Sequence, residues 1–182
     1  RIAPKVRTYR RASRRQGTRQ DVVLPGRRHE GWALNLILDT SGSMDEEAEW
    51  TQDSMQAMVD AITAGGVDVH LVMISSNEIC VPAPLGNGSC PNDENLPKYR
   101  HVPVGISSTD ALEKIISTYD QWKDSLRPGA SKTVVVVSDD NSSLGASDFI
   151  TQLVAKDASF QGFKFDAITA AEGGASLIAT CL

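Results

Sequence analysis

Three oxygen-bearing side chains occupy alternate positions in residues 39–43, which read DTSGS. The carboxylate of Asp39 and the hydroxyls of Ser41 and Ser43 are hard oxygen ligands, which Mg²⁺ and Ca²⁺ prefer. These residues follow the apolar run 32–38 and precede three acidic residues that are typical of the first turn of a helix. We therefore expect a divalent-cation site on a turn between a strand and a helix.

The hydrophobic pattern after residue 32 alternates between the period of strands and the period of helices. Apolar runs predict buried strands at residues 32–39, 67–75, 133–138 and 163–168. Helical spacing of apolar residues predicts one helix that ends near Gly65 and two more at residues 109–126 and 147–156. Pro103 restricts its neighbourhood to an edge strand at most. Alternation of this kind predicts an α/β fold with a doubly wound, mostly parallel sheet flanked by helices.

Two of the predicted strands end in an acidic residue, the first at Asp39 and the valine-rich one at Asp139. In open α/β sheets the ligand crevice lies beyond the carboxyl ends of the strands, so we expect these carboxylates near each other. The helix between these two strands is entered through three further hydroxyl side chains, Ser107, Ser108 and Thr109. Two carboxylates and three hydroxyls supply most of an octahedron and leave one position for water or an incoming acidic oxygen.

Helix capping is the competing interpretation of the serines. Ser43 with Glu46, and Ser107 with Asp110, both have the spacing of a capping box. Each serine taken alone fits a helix cap better than a metal ligand. The combination of five oxygen groups in three loops, in this order along an alternating chain, favours the metal site.

The same residues resemble the metal-ion-dependent adhesion site of von Willebrand factor A (VWA) domains, and the resemblance covers residues 32–170. It implies a Rossmann-like VWA fold with ligands from three loops, namely Asp39, Ser41, Ser43, Ser108 and Asp139. Ser108 is preferred in the second loop because Leu112 follows it at the offset usual in the family. Ser107 and Thr109 remain alternatives.

The third loop departs from the family pattern. VWA domains usually have Asp-Gly there, whereas Asp140 follows Asp139 in this chain. The added carboxylate either makes the rim of the site more acidic or contacts the metal through water.

The resemblance also implies a function. We expect a protein-binding or adhesion module in which Mg²⁺, or else Ca²⁺ or Mn²⁺, coordinates an Asp or Glu of a protein partner. An intracellular VWA subunit of an ATPase-driven assembly or metal-insertion complex is the alternative. A metal-dependent phosphoester hydrolase is disfavoured, because a single ion on two carboxylates is a weak basis for that chemistry. We expect no enzymatic activity, since Ser41 does not lie in the Gly-x-Ser-x-Gly turn of hydrolases.

Charge divides the chain into two parts. Residues 1–31 hold ten of the eighteen Lys and Arg residues and two acidic ones, whereas residues 32–182 hold eight basic and twenty-one acidic residues. This predicts a basic N-terminal arm, residues 1–31, followed by a VWA-like domain, residues 32–182. The arm is expected either to be solvated, with residues 22–24 as a short edge strand, or to bind an acidic partner, nucleic acid or an anionic surface. No apolar stretch is long enough for a transmembrane segment.

Cys80 and Cys90 enclose the turn-rich segment VPAPLGNGS. Such a loop has little apolar surface to bury, so we expect a disulfide between the two cysteines and an oxidising compartment, which means an extracellular, cell-surface or periplasmic location. Two free thiols in a cytoplasmic protein are the alternative, and the spacing disfavours zinc. The loop is also similar to insertions in secreted bacterial VWA proteins. Cys181 has no assigned partner.

A further expectation concerns how the sheet ends on its C-terminal side. A VWA sheet usually continues with a strand and a helix beyond residue 170, and residues 171–182 are too short for both. We therefore expect the sheet either to be truncated on its C-terminal side or to be completed at an edge by residues 22–24.

Overall fold

The computed structural model describes residues 31–169. These residues form the strands β1 (Trp32–Leu38), β2 (Val69–Ser75), β3 (Tyr99–Pro103), β4 (Ser131–Ser138) and β5 (Lys164–Thr169). They also form the helices α1 (Asp45–Ala64), α2 (Ala111–Ser117), α3 (Tyr119–Trp122) and α4 (Ala146–Lys156), with 3₁₀ turns at Gly42–Met44, Lys123–Ser125 and Ala158–Phe160. None of the helices within this range combines the length and apolar composition needed to cross a bilayer. The predictions for the basic arm, for residues 22–24 and for residues 171–182 with Cys181 lie outside the described residues.

The strands form one sheet in the order β3-β2-β1-β4-β5, and each neighbouring pair is parallel. The predicted α/β fold with a doubly wound parallel sheet is therefore confirmed for the described residues. The described part of the chain begins at the centre of the sheet, winds outward through β2 to β3, and returns to β4 on the other side of β1. This reversal creates a topological switch point between β1 and β4, where ligand crevices open in such sheets.

Alternate residues of the central strands are buried in two separate apolar layers, one on each face of the sheet. Ile37 belongs to the layer that α2, α3 and α4 cover, which also contains Trp122. Leu38 belongs to the layer that α1 covers with Met55 and Val59. Burial on both faces explains why β1, apart from Asn35, and the valine-rich part of β4 are apolar in the sequence.

The helix predicted over residues 109–126 is divided, which corrects that expectation. α2 and α3 meet at Thr118, whose φ of −92° and ψ of 1° interrupt the helix. Its hydroxyl donates to the carbonyl of Lys114 at 2.7 Å and accepts from the indole N–H of Trp122 at 3.2 Å. A threonine hydroxyl that binds nearby groups competes with regular helical hydrogen bonding, and the buried indole keeps this one in place.

The connection between β2 and β3, residues 76–98, is described throughout and contains no helix. Cys80 and Cys90, the pair expected to be bridged, form a disulfide within it, with their Cα atoms 5.5 Å apart. Ile79, Val81 and Leu85 from this connection are buried in the same apolar layer as α1. The cross-linked loop therefore covers part of the sheet face that a crossover helix would otherwise cover.

A buried polar cluster joins this connection to β3. Oδ2 of Asp93 accepts hydrogen bonds from the hydroxyl of Tyr99 at 2.6 Å and from the N–H of Val81 at 2.7 Å. Its Oδ1 lies 2.8 Å from Nδ1 of His101, and the two side chains are 0% and 1% exposed. Nothing in the sequence analysis assigned a role to this cluster, because its members become neighbours only when β3 pairs with β2.

Burial and pairing act in opposite directions on the two titrating groups. Burial alone raises the pKa of Asp93, but hydrogen bonds from His101, Tyr99 and Val81 outweigh it and hold that pKa below its ordinary value. Burial alone lowers the pKa of His101, but the hydrogen bond and charge of Asp93 outweigh it, so that pKa is raised. The stabilisation from His101 is complete below the ordinary His pKa of about 6.5 and is lost as the pH rises through the raised pKa. The stabilisation from Asp93 is complete above the ordinary Asp pKa of about 3.9 and is lost as the pH falls through the lowered pKa.

The variant His101→Gln tests this ion pair. We expect it to reduce the free energy of unfolding more at about pH 5, where both partners are charged, than at an alkaline pH above the raised pKa of His101, where the imidazole is neutral. Urea unfolding of the wild type and the variant at both pH values measures the difference. Arg100→Gln is the matched control, because Arg100 neighbours His101 in β3 and pairs with Glu94 rather than with Asp93. A loss that is equal at the two pH values would contradict a charged His101.

Candidate functional site

The carboxyl ends of β1 and β4 place the first and third predicted loops side by side. Leu38 pairs with Val137 in the sheet, and the N–H of Asp39 donates to the carbonyl of Val137 at 2.9 Å. Asp39 and Ser138 therefore lie next to each other at the carboxyl ends of these two strands, at the switch point. Asp39 is completely buried, so its carboxylate lies below the surface of the crevice.

Both carboxylate oxygens of Asp39 are held by hydrogen-bond donors. Oδ1 accepts from the N–H of Ser41 at 2.9 Å, and Oδ2 accepts from the hydroxyl of Ser138 at 2.7 Å. These bonds fix the orientation of the carboxylate and still leave it acceptor capacity, since each oxygen can accept more than one bond. Ser138 is not among the site residues predicted from the sequence, because its contact with Asp39 depends on the pairing of β1 with β4.

Ser41 and Ser43 bring their hydroxyl oxygens to within 3.2 Å of each other. They lie at the start of the 3₁₀ turn Gly42–Met44, which leads directly into α1. The N-cap residues of the turn and of α1 are Ser41 and Met44, and neither makes a side-chain capping bond. The capping interpretation is therefore not realised in this loop, and the two hydroxyls remain as neighbouring oxygen donors for a ligand.

Hydrogen bonds join the second loop to both of the others. The N–H of Thr40 donates to the carbonyl of Ile106 at 3.1 Å, and the N–H of Ile106 donates to the hydroxyl of Thr40 at 3.3 Å. On the other side, the carbonyl of Thr109 accepts from the N–H of Ser143 at 2.7 Å. The role of Thr40 could not be predicted from the sequence, because its partner Ile106 becomes a neighbour only in the folded chain.

The three hydroxyl residues of the second loop differ in their surroundings. Ser108 lines a small cavity of about 10 Å³ together with Ser138 and Asp140, which places it against the third loop. Ser107 and Thr109 are exposed, and the N–H of Ser107 donates to the carboxylate of Asp110 at 2.8 Å, which is one half of a capping box. The geometry thus favours Ser108 among the three.

Asp139 carries an oxygen that no group described here satisfies. The residue is partly exposed, but its Oδ1 is buried and has no hydrogen-bond partner among residues 31–169. Buried charged groups in proteins are normally paired or coordinate a metal, because an unpaired one costs considerable free energy. A cation beside this oxygen would satisfy it.

Asp140, the residue that departs from the family pattern, is exposed on the rim. Its N–H lies 3.3 Å from the hydroxyl of Ser138, so its backbone helps to position the residue that holds Asp39. Both interpretations of its carboxylate, an acidic rim or a contact through water, remain predictions.

Within residues 31–169, no three His, Cys, Asp or Glu side chains come together as a metal-binding group. The predicted ligand set has only two carboxylates, so a cation here would depend on serine hydroxyls for the rest of its coordination. Hard oxygen donors of this kind suit Mg²⁺, Ca²⁺ or Mn²⁺ rather than a thiolate- or imidazole-seeking metal. Together with the unpaired oxygen of Asp139, the donor set fits a hard divalent cation.

The loops described above lie in a recognisable domain, because the family model for the von Willebrand factor type A domain matches residues 34–173. The chain belongs to this family. VWA domains are generally protein-interaction modules, and the matched range contains all three loops of the crevice. A search of curated proteins and a search of solved structures found no match.

The hydrogen bond from Ser138 to Asp39 makes the VWA crevice sensitive to a single substitution. We expect Ser138→Ala to lower the free energy of unfolding by about 1–3 kcal/mol, because it removes the donor from a fully buried carboxylate. Urea unfolding in the presence of a chelator measures this loss without any contribution from metal. Ser143→Ala, an exposed serine of the same loop, should change stability by no more than about 0.5 kcal/mol. Equal effects of the two variants would show that the Ser138 bond does not support the site.

Proposed function

We propose that this VWA domain binds a protein partner through a divalent cation, with Mg²⁺ as the expected ion and Ca²⁺ or Mn²⁺ as alternatives. The observation that carries the proposal is the buried Oδ1 of Asp139, which has no hydrogen-bond partner among residues 31–169 and lies at the end of the strand next to Asp39. Membership of a family of interaction modules supports a binding role, and we propose no catalytic one.

Five residues would hold the cation, namely Asp39, Ser41, Ser43, Ser108 and Asp139. When bound, the ion would offer an electrophilic position to an Asp or Glu carboxylate of the partner. The carboxylate of Asp39 is already oriented for this role, because it accepts hydrogen bonds from the hydroxyl of Ser138 and from the N–H of Ser41. The hydroxyl of Thr40 accepts from the N–H of Ile106, so the first two loops are already joined before a cation binds.

The charge around the crevice restricts the kind of partner segment that can bind there. Asp45, Glu46 and Glu47 begin α1 and are exposed, and Asp140 is exposed on the third loop. These carboxylates attract cations, and they repel an acidic partner segment unless basic residues flank its Asp or Glu. We therefore propose a partner carboxylate in a basic or neutral setting.

The disulfide supports the location proposed for the protein. A bond between Cys80 and Cys90 persists in oxidising compartments, which favours an extracellular, cell-surface or periplasmic domain. A cytoplasmic VWA subunit docked to an ATPase through the basic arm remains the alternative, and titration of free thiols in protein from its native source separates the two.

Magnesium should stabilise the domain through Asp139. We expect Mg²⁺ at about 100 times its Kd to raise the free energy of unfolding by about 2.7 kcal/mol, because the folded state alone presents the site. In Asp139→Asn the same magnesium concentration should give little or no increase. Thermal unfolding with magnesium and with chelator measures both responses.

Asp148→Asn is the matched control, since Asp148 is an exposed carboxylate on α4, outside the proposed ligand set. It should keep the full magnesium response of the wild type. Protein captured by the immobilised wild type in magnesium should be released by chelator and should not be retained by Asp139→Asn. A magnesium response that survives in Asp139→Asn would contradict the ligand assignment.

A further inference from the structure

The third loop of the crevice, residues 139–145, is held at its start by the sheet. Ser138, the last residue of β4, donates to the carboxylate of Asp39 at 2.7 Å, and the N–H of Asp140 lies 3.3 Å from the same hydroxyl. Asp139 lies between these two residues, and the loop then leaves the sheet and runs to α4. The carboxylate of Asp139 keeps one position only if the loop is also held further along.

Ser142 supplies this second attachment through its hydroxyl. The hydroxyl oxygen lies 3.2 Å from the carbonyl oxygen of Thr109 and 3.1 Å from Oε2 of Glu113. Both partners are acceptors, so the hydroxyl donates its single proton to this pair. The N–H of Ser143 donates to the same carbonyl of Thr109 at 2.7 Å. Within residues 31–169, these are the hydrogen bonds that join the third loop to the second loop and α2.

The two acceptors of Ser142 belong to a well-supported part of the domain. Glu113 lies in the first turn of α2, and the buried side chains of α2 pack in one of the two apolar layers of the sheet. Thr109 directly follows Ser108, the proposed ligand of the second loop. Ser142 therefore connects the loop that carries Asp139 to the loop that carries Ser108.

A cavity of about 10 Å³ shows how closely these two loops approach each other. Ser108 lines it from the second loop, and Ser138, Asp140 and Ser142 line it from the end of β4 and the third loop. A space of this size is about that of one water-sized probe, so the loops are almost in contact. A small shift of the third loop therefore changes the separation of Asp139 from Ser108.

We propose that Ser142 is a positioning residue for the cation. By binding Thr109 and Glu113, its hydroxyl keeps Asp139 where it can share an ion with Ser108. The inference rests on the proposed function, because it concerns the same ion. Without the hydroxyl, the third loop is in the binding-competent position for a smaller fraction of the time, and the apparent Kd rises by the inverse of that fraction.

Calorimetric titration of the complete chain with Mg²⁺ tests this role. Ser142→Ala should raise the Kd for Mg²⁺ about two- to tenfold, the range that corresponds to one hydrogen bond. Ser142→Thr keeps the hydroxyl and should bind Mg²⁺ as tightly as the wild type. Ser143→Ala is the matched control and should also keep the wild-type Kd, since Ser143 is exposed and binds Thr109 through its N–H.

Variants of Glu113 separate a hydrogen bond from a simple charge effect. Glu113→Gln removes the negative charge but keeps an acceptor for Ser142, so it should stay close to the wild-type Kd. Glu113→Ala should weaken Mg²⁺ binding. The double variant with Ser142→Ala should bind no more weakly than Ser142→Ala alone, because both changes break the same contact.

Hydrogen exchange in the presence of a chelator examines the same contact without metal. The N–H of Ser143 shares its acceptor, the carbonyl of Thr109, with the hydroxyl of Ser142. In Ser142→Ala its protection factor should fall about two- to tenfold, because the loop opens more often. In Ser142→Thr the protection should match that of the wild type.

The outcomes distinguish this inference from the proposed function. If the wild type binds no Mg²⁺, both fail. If Asp139→Asn abolishes Mg²⁺ binding while Ser142→Ala keeps the wild-type Kd, the proposed function stands and the positioning role of Ser142 is wrong. Unchanged protection of Ser143 in Ser142→Ala, or an equal loss of affinity in Glu113→Gln and Glu113→Ala, would also overturn the positioning role.

Discussion

The crevice depends on one hydrogen-bonded carboxylate. Asp39 is fully buried at the end of the central strand, and it is held by the hydroxyl of Ser138 at 2.7 Å and by the N–H of Ser41 at 2.9 Å. A buried carboxylate is tolerated only with such partners, so the register of β1 against β4 and the path of the first loop are both constrained by it. The same register places Asp139, whose Oδ1 is buried and has no partner among the described residues, directly after β4.

The two faces of the sheet behind the crevice loops are covered in different ways. One face is covered by α2, α3 and α4, where Thr118 interrupts the helical run and binds the buried indole of Trp122. The other face is covered by α1 and by a loop that a disulfide and the Asp93–His101 pair hold in place. Of the four described helices, only α1 packs in the apolar layer on this second face. The crevice at the ends of β1 and β4 is thus a consequence of a sheet that winds outward in both directions from β1.

Much of this could be predicted from the sequence, because it depends on local pattern. The largely apolar run of β1 and the four valines of β4 indicate strands buried on both faces, and Asp39 and Asp139 follow these strands directly, so the fold and the two acidic strand ends could be placed. Ser138, Thr40 and the Asp93 cluster could not, since their roles depend on which strands become neighbours. The break at Thr118 could not be predicted either, because the apolar spacing of residues 109–126 fits a continuous helix. Only the structure shows that Thr118 binds the buried indole of Trp122.

The central claim is that Asp39, Ser41, Ser43, Ser108 and Asp139 surround one divalent cation. Anomalous scattering from crystals of the complete chain grown with Mn²⁺ tests it most directly, because manganese accepts the same oxygen ligands as magnesium and can be located independently of them. We expect a single strong anomalous peak between Asp39 and Asp139, within coordination distance of the serine hydroxyls. No peak at the ends of β1 and β4, or a peak bound only by the exposed carboxylates of α1, would contradict it.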